Sequence, residues 1–263
     1  MNERDNLLTR QEILDALIAA LEPEAYVQAL WEGGAAAFDR VDEWSDLDIM
    51  IAVDDDRVVE TFDLLESCLR SLAPIARQYN LPEPAWHGHS QRFYQLEEAS
   101  PFLILDVVVL KRSSENKFLQ PELHGEAVMH FDKSGVVQTE PFDWPTLKET
   151  LRARLKTLRV TFDLFQPLTL KEIERGNAIE ALAFYQGFTL RPLVEALRIR
   201  YMPARHSFHT RYVYYDLPAQ VVEKLEDLYF VADLDELRDK HAQAEAWFND
   251  TLAAIDLDEI IPA

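Results

Sequence analysis

The sequence is poor in cysteine, in glycine and in long apolar runs. Cys68 is the only cysteine in 263 residues, which excludes an intrachain disulfide and a metal site built from several thiolates. With 7 glycines, 48% hydrophobic and 28% charged residues, the chain is neither collagen-like nor of low complexity. No run of about 18 apolar residues is present, and residues 1–5 lead into no apolar leader segment. These absences predict a folded cytoplasmic protein with no membrane partner.

Positive charge is also scarce. The 26 Lys and Arg residues face 47 Asp and Glu residues, which gives a formal net charge of −21. Such a field repels the phosphate backbone of DNA or RNA and attracts cations, so we expect no long nucleic acid as a partner. Residues 151–215 are the exception, because they hold eleven basic residues against five acidic ones. This basic island is a candidate anion site, although solvated helix faces explain it equally well.

The hydrophobic pattern changes period along the chain. Helical spacing covers residues 14–21, is expected again over 24–31 and 58–79, and continues almost throughout beyond Pro145. Strands are expected from short apolar or alternating runs at 47–53, 85–89, 92–96, 102–110, 127–131 and 136–137. The prediction is an α+β protein, in which a mixed-sheet domain over residues 1–142 precedes an all-helical domain over residues 143–263.

Two of the apolar runs contain single carboxylates. Asp46 and Asp48 flank Leu47, and alternation along a strand places both on one face. Two such carboxylates repel one another unless a cation lies between them, and hard oxygen ligands suit Mg²⁺. Asp106 is a third carboxylate, within an apolar run where a charge is costly unless it faces the same metal. The pattern predicts a metal site of Asp46, Asp48 and Asp106.

A glycine pair precedes these carboxylates. Gly33 and Gly34 end one segment, and eleven residues separate them from Asp46. Glycine lets the backbone approach a phosphate group closely, because no Cβ intervenes. A glycine pair or an Asp-x-Asp motif alone is common, but the two at this spacing, followed by a later strand carboxylate, form a specific pattern.

With these residues the sequence resembles the DNA polymerase beta-type nucleotidyltransferases. Their signature is Gly-Gly or Gly-Ser, a spacer of nine to thirteen residues, Asp-x-Asp between apolar residues, and a later strand carboxylate. Here the matching residues are Gly33-Gly34, Ser45-Asp46-Leu47-Asp48 and Asp106, and the resemblance covers about residues 25–140. The helical part resembles small bacterial members such as the aminoglycoside adenylyltransferases, and residues 201–208 are similar to a segment of uncharacterised relatives.

The resemblance implies an enzyme that transfers a nucleoside monophosphate. Asp46 and Asp48 would bridge two Mg²⁺ ions that bind the triphosphate of ATP, and Asp106 would ligate one metal or accept a proton from the attacking hydroxyl. Gly33, Gly34 and Ser45 would hold the triphosphate. Tyr185 and Arg191, on the long helical stretch, are further candidate nucleotide contacts, and basic residues of the island would close over the phosphates.

Three functions remain open at this point. The first is transfer of AMP from ATP to a hydroxyl of a small acceptor, such as an aminoglycoside, since an acidic surface concentrates cationic molecules. The second is the same chemistry on a protein side chain, and the third is a nucleotide-binding regulatory module without catalysis. His87 and His89 could form a metal pair, but no third ligand at zinc-like spacing accompanies them. The oligomeric state is left open.

Overall fold

The computed structural model describes residues 7–83, 85–139 and 141–262. The expectation about residues 1–5 therefore concerns a segment outside the described residues. The chain divides into two compact units, Met1–Pro141 and Phe142–Ala263. The architecture is α+β, with a mixed sheet in the first unit and helices in the second.

The first unit contains a six-stranded sheet. Its strands, in chain order, are β1 (Val27–Glu32), β2 (Leu47–Val53), β3 (Ile75–Asn80), β4 (Ser90–Leu96), β5 (Leu105–Lys111) and β6 (Val128–Asp132). Their order across the sheet is β3-β4-β5-β2-β1-β6. The central pair β2 and β5 runs parallel, and every other pair is antiparallel, so the sheet is mixed as expected.

Four helices accompany this sheet within the described residues of the unit, and local sequence explains where the first one begins. They are α1 (Arg10–Leu21), α2 (Gly34–Ala37), α3 (Val58–Leu72) and α4 (Pro121–His124). The Thr9 side chain caps α1 by accepting from the Glu12 N–H, and the Glu12 carboxylate accepts from the Thr9 backbone N–H. This reciprocal capping satisfies backbone N–H groups that the first turn of a helix leaves unpaired.

The two faces of the sheet pack separately. Leu47, Ile49 and Ile51 of β2 belong to the larger core, which also contains buried residues of α1 and α3. Met50 and Ala52, which alternate with them, belong to a smaller apolar cluster. Because side chains alternate across a strand, Asp48 lies on the face of Met50 and Ala52.

The second unit is entirely helical in the part of it that the structure describes. Its α-helices are α5 (Trp144–Arg175), α6 (Ala178–Phe184), α7 (Arg191–Tyr201), α8 (Val213–Asp216), α9 (Ala219–Tyr229), α10 (Leu234–Ala253) and α11 (Leu257–Ile260). A π-helical segment at Tyr185–Leu190 and a 3-10 segment at Pro203–Phe208 lie before and after α7. The α5 helix begins after Asp143, which caps it, and ends at Gly176, whose φ of 75° suits glycine.

Several expected elements differ from the observed ones. Residues 24–31 were expected to be helical, but β1 occupies Val27–Glu32; all six of its residues are buried, and such a short apolar run has no diagnostic period. The helix expected over 58–79 ends at Leu72, and β3 follows it. The strands expected at 85–89 and 136–137 are turn and irregular backbone.

None of the described helices combines the length and the apolar character needed to cross a membrane.

Candidate active site

The centre of the candidate site is a pair of carboxylates on neighbouring strands. Asp48 of β2 and Asp106 of β5 are directly opposite each other in the parallel register. Asp106 alternates with buried Leu105 and Val107, so its side chain shares the sheet face of Asp48. Neighbouring strands lie about 4.8 Å apart, and two charges near 5 Å repel by roughly 3 kcal/mol at an effective dielectric constant of 20.

Asp46 is not grouped with this pair. It precedes β2, and its Oδ1 accepts a hydrogen bond from the Ile104 backbone N–H at 3.2 Å. Its carbonyl oxygen accepts one from Arg10 Nε at 3.1 Å. Among the residues that the structure describes, no three carboxylate, histidine or cysteine side chains form a group able to hold a metal. Asp48 and Asp106 are the two carboxylates that lie in register, while Asp46 Oδ1 is bonded to the backbone just before β5, and metal binding by Asp46 stays a prediction.

The glycine turn fits closely against Asp48. Gly34 has a φ of 52°, in the left-handed region, and a Cβ added to it would lie 1.8 Å from Asp48 Oδ2. The Gly33 N–H donates to the Asp48 carbonyl oxygen at 3.1 Å. Only glycine can therefore occupy position 34 without moving Asp48, and the predicted pairing of this turn with the Asp-x-Asp motif has a steric basis.

Ser45 has a local partner in the loop before β2. Its hydroxyl donates to Asp42 Oδ1 at 2.7 Å and accepts from the Asp42 backbone N–H at 2.9 Å. The Ser45 hydroxyl is the main cause that lowers the pKa of Asp42. The bonds close the turn that leads into the Asp-x-Asp motif, and the predicted phosphate contact of Ser45 stays a prediction.

Gln91 on β4 was not singled out by the sequence reasoning, yet it contacts the site. Its Nε2 donates to Asp106 Oδ1 at 2.6 Å, and its Oε1 lies 3.0 Å from His87 Nε2. The β4 strand runs antiparallel to β5, and this pairing brings Gln91 beside Asp106. A sequence signal for Gln91 does exist, because it lies in an alternating strand that precedes the apolar run carrying Asp106. That signal is insufficient, because the register between two strands is not encoded in either strand alone.

His89 lies deeper than His87 in the same segment. It is buried, and neither ring nitrogen has a hydrogen bond of good geometry. Burial is the main cause that lowers its pKa, and His87 adds to the effect. Its ring stacks on that of His87 with centroids 5.5 Å apart and meets Phe118 edge-on at 5.2 Å. A metal held by His87 and His89 has no third ligand in the described chain.

The pair of carboxylates fits Mg²⁺ on the chemistry of its donors. Asp48 and Asp106 offer hard oxygen ligands from rigid, buried strands, and Mg²⁺ in phosphate-transfer sites is held by one or two carboxylates together with substrate phosphates. The absence of a Cβ at Gly34 lets the Asp48 carboxylate pack directly against the glycine turn. Two carboxylates and an adjacent glycine turn are thus compatible with a metal-bound triphosphate.

Tyr185 and Arg191, the two predicted nucleotide contacts in the helical unit, differ from each other in burial. Tyr185 is fully buried in the helical core, its hydroxyl donates to the Leu228 carbonyl oxygen at 3.0 Å, and burial raises its pKa. The expected nucleotide contact by Tyr185 is therefore corrected to a packing role. Arg191 is exposed, and its guanidinium lies 3.0 Å from His209 Nε2. A nucleotide contact by Arg191 stays a prediction.

Several residues of the basic island form ion pairs within the helical unit. Five of its eleven basic residues form ion pairs with acidic side chains of the same unit: Arg152, Arg154, Arg175, Arg198 and Arg205. Two of these, Arg198 and Arg205, are buried and share the carboxylate of Asp216. The island is therefore in large part a structural feature.

Comparison with known proteins gives distant structural similarity. No family model matches this sequence, and no curated protein matches it. An aminoglycoside 6-adenyltransferase from Bacillus subtilis aligns over 96% of this chain and 95% of its own, at 15% identity and a TM-score of 0.36. A spectinomycin adenyltransferase from Enterococcus faecialis, solved with ATP and spectinomycin, aligns over 92% of this chain and 99% of its own, at 10% identity and a TM-score of 0.35. At such TM-scores the function has to be argued from the residues.

Proposed function

We propose that the chain is a metal-dependent nucleotidyltransferase whose catalytic domain spans residues 1–142. The observation that carries the proposal is the in-register pair of Asp48 and Asp106, with Gly34 packed against the Asp48 carboxylate. Two like charges on adjacent buried strands are costly for a fold, and they are useful where a divalent cation and an anionic substrate meet. The donor is ATP, and the transferred group is AMP.

Each residue of the site has a task in this reaction. When bound, Mg²⁺ stabilises negative charge on the triphosphate and on the leaving pyrophosphate. Asp48 and Asp106 hold that cation, and Asp46 joins them if its side chain gives up the bond to Ile104. Gly33 and Gly34 allow backbone N–H groups to approach the phosphates. Asp106 also accepts the proton of the attacking hydroxyl, a role open to a carboxylate on a rigid strand.

The acceptor is a small molecule with a hydroxyl group. A chain with a net charge of −21 concentrates cationic molecules around it, so an aminoglycoside-like acceptor agrees with the charge. Phosphoryl chemistry of this kind depends mainly on positioning and on electrostatic stabilisation, both of which a fixed carboxylate pair supplies.

The test uses the purified chain with Mg²⁺, radiolabelled ATP and a panel of hydroxyl-bearing acceptors that includes aminoglycosides. We expect label to move to an acceptor with release of pyrophosphate. Asp48→Asn and Asp106→Asn each keep the shape of the side chain and remove its charge, and each should slow the reaction about a thousandfold. Asp55→Asn, in the same unit but hydrogen-bonded to exposed Ser113, is the matched control.

Other results would redirect the proposal. Label found on a protein instead of a small molecule would favour modification of a protein side chain. ATP binding without pyrophosphate release across the whole panel would favour a regulatory module. Full activity of Asp48→Asn would contradict the proposed mechanism.

A further inference from the structure

A row of hydrogen bonds leads away from Asp106 on the sheet face that carries the site. Gln91 Nε2 donates to Asp106 Oδ1 at 2.6 Å, and the opposite end of the same amide lies 3.0 Å from His87 Nε2. The backbone N–H of His89 donates to His87 Nδ1 at 3.2 Å. The row therefore consists of one carboxylate, one amide, one imidazole and one backbone N–H.

The chemistry of these groups fixes the direction of every bond. An ionised carboxylate only accepts, so the NH₂ end of Gln91 has to face Asp106. The carbonyl end of Gln91 then faces His87, and only a proton on Nε2 can complete that bond. Because the His89 N–H donates to Nδ1, the tautomer that satisfies both contacts carries its proton on Nε2.

We propose that Gln91 is a positioning residue for Asp106 and that His87 holds the Gln91 amide in its working orientation. The proposal rests on the proposed function, since it assigns Asp106 a part in metal and substrate binding. A neutral amide can orient a carboxylate without cancelling its negative charge, whereas an ammonium or guanidinium partner would neutralise it. Gln91 thus orients Asp106 and adds no positive charge of its own.

The packing around His87 supports a fixed ring. Its ring stacks on His89 with centroids 5.5 Å apart and meets Phe118 edge-on at 5.7 Å. Trp86, the preceding residue, also meets the His87 ring edge-on, with ring centroids 5.0 Å apart. An imidazole held by three rings and two hydrogen bonds has little freedom to rotate, so the amide that it anchors has one preferred orientation.

The first experiment removes the Gln91 amide without changing the length of the side chain. Gln91→Met should weaken the binding of Mn²⁺ alone, measured by calorimetry, about tenfold, and should slow nucleotidyl transfer about 10- to 100-fold, the range for partners that orient metal ligands. Gln95→Met is the matched control, because Gln95 lies on the same strand and its amide donates to the Pro101 carbonyl oxygen at 2.7 Å. Equal effects of the two variants would overturn the proposal.

The second experiment tests the row of hydrogen bonds directly and does not depend on enzymatic activity. Nitrogen-15 NMR of histidine-labelled protein should show that the neutral form of His87 carries its proton on Nε2. Gln91→Met should abolish this preference for one tautomer, and Asp106→Leu should weaken it, because the amide is then free to turn over. A wild-type His87 whose neutral form carries its proton on Nδ1 would overturn the proposal.

The two readouts separate this proposal from the proposed function. If the wild-type chain transfers no nucleotide and binds no Mn²⁺, the proposed function fails and so does the role of Gln91 in it. If the wild-type chain is active while Gln91→Met and Gln95→Met behave alike, only the positioning role fails.

Discussion

The chain holds two carboxylates in opposite ways, one in each unit. Asp106, on a strand of the first unit, accepts a hydrogen bond from the neutral amide of Gln91. Asp216, at the end of α8 in the second unit, is bound by two guanidinium groups, Arg198 Nη1 at 2.9 Å and Arg205 Nη1 at 2.8 Å. Gln91 brings no positive charge to the first carboxylate, whereas two arginines bring positive charge to the second.

The Asp216 cluster serves the fold. Arg198 is fully buried, and besides Asp216 its guanidinium donates to the carbonyl oxygens of His209 and Arg211. These bonds fasten a segment in which His209 and Tyr212 have positive φ values of 52° and 63°. Backbone in that region is strained for residues with a side chain, so a rigid anchor is needed to hold it.

The contrast teaches how to separate functional from structural carboxylates. A buried carboxylate with cationic partners inside the protein has its counter-charge already and gains nothing from a ligand. A carboxylate that lies beside another one and is oriented by a neutral amide is a candidate ligand for a cation. On this criterion we propose Asp48 and Asp106 as a binding pair, whereas Asp216 is part of the buried core.

The largest expected effect tests this contrast directly through stability. Asp216→Asn removes the charge between two buried guanidinium groups and should lower the free energy of unfolding by about 3–5 kcal/mol. Asp48→Asn removes one of two adjacent like charges and should lower the free energy of unfolding by much less than Asp216→Asn does, while nucleotidyl transfer is lost. Denaturant titrations of both variants at pH 7.5 provide the measurement. A loss of stability in Asp48→Asn as large as that in Asp216→Asn would contradict the distinction.

The sequence was sufficient to predict the two carboxylates of the site, but not how they and their neighbours are arranged in space. Asp48 and Asp106 stand out because each is the single charge in an apolar run; β2 occupies the predicted residues 47–53, and β5 begins three residues later than the predicted 102–110. The register that sets them opposite each other depends on pairing between residues 58 apart in sequence, for which no local signal exists. Gln91 was missed for the same reason, since it is an ordinary residue of an alternating strand.

Misplaced residues have equally physical causes. Tyr185 was expected near a nucleotide because it lies on a long helical stretch rich in basic residues, but its ring fills the core and its hydroxyl has a backbone partner. Residues 201–208, similar to a segment of uncharacterised relatives, contain Arg205, whose part in the buried cluster becomes visible only with Asp216 in place. Burial of a charged residue is a tertiary property that charge counting cannot reveal.

A substitution in the glycine turn is a second test of the difference between the two carboxylates, with a smaller expected effect on stability. Gly34→Ala brings a Cβ to 1.8 Å from Asp48 Oδ2 and adds a side chain at a φ of 52°. We expect it to cost about 2–3 kcal/mol in the free energy of unfolding, from left-handed backbone and overpacking, and to abolish Mn²⁺ binding. In an Asp48→Ala background the same substitution should cost only about 1–2 kcal/mol, the backbone part.

Gly33→Ala is the control for that cycle. Its added Cβ would meet Met50 Cε at 2.5 Å, the flexible end of a side chain, so the neighbour can move aside. Additive effects of Gly34→Ala and Asp48→Ala on stability would contradict the close fit between the turn and this carboxylate.

The smallest expected effect tests whether the difference between Asp106 and Asp216 depends on the unit in which a carboxylate lies or on the charge of its hydrogen-bond partners. Glu66, in the same unit as Asp106, is bound by Arg92 Nη1 at 2.7 Å and Arg70 Nη2 at 3.0 Å. Burial opposes ionisation of Glu66, but hydrogen bonds from Arg92, Arg70 and Tyr94 outweigh it and lower the pKa from its ordinary value of 4.5. Glu66 should therefore behave like Asp216 and unlike Asp106, although it lies in the unit of the site.

The pH dependence follows from the direction of this shift. Because the folded-state pKa of Glu66 lies below 4.5, its stabilising contribution is complete above pH 4.5 and is lost as the pH falls through the folded-state value. Glu66→Gln should cost about 1–2 kcal/mol at pH 7, as expected for hydrogen bonds to charged groups, with the difference from wild type shrinking in acid. Thermal unfolding of both proteins between pH 7 and pH 3 measures this difference. A cost that stays constant over the range would show that Glu66 acts through shape alone, and cationic partners would then no longer distinguish structural carboxylates from the pair at the site.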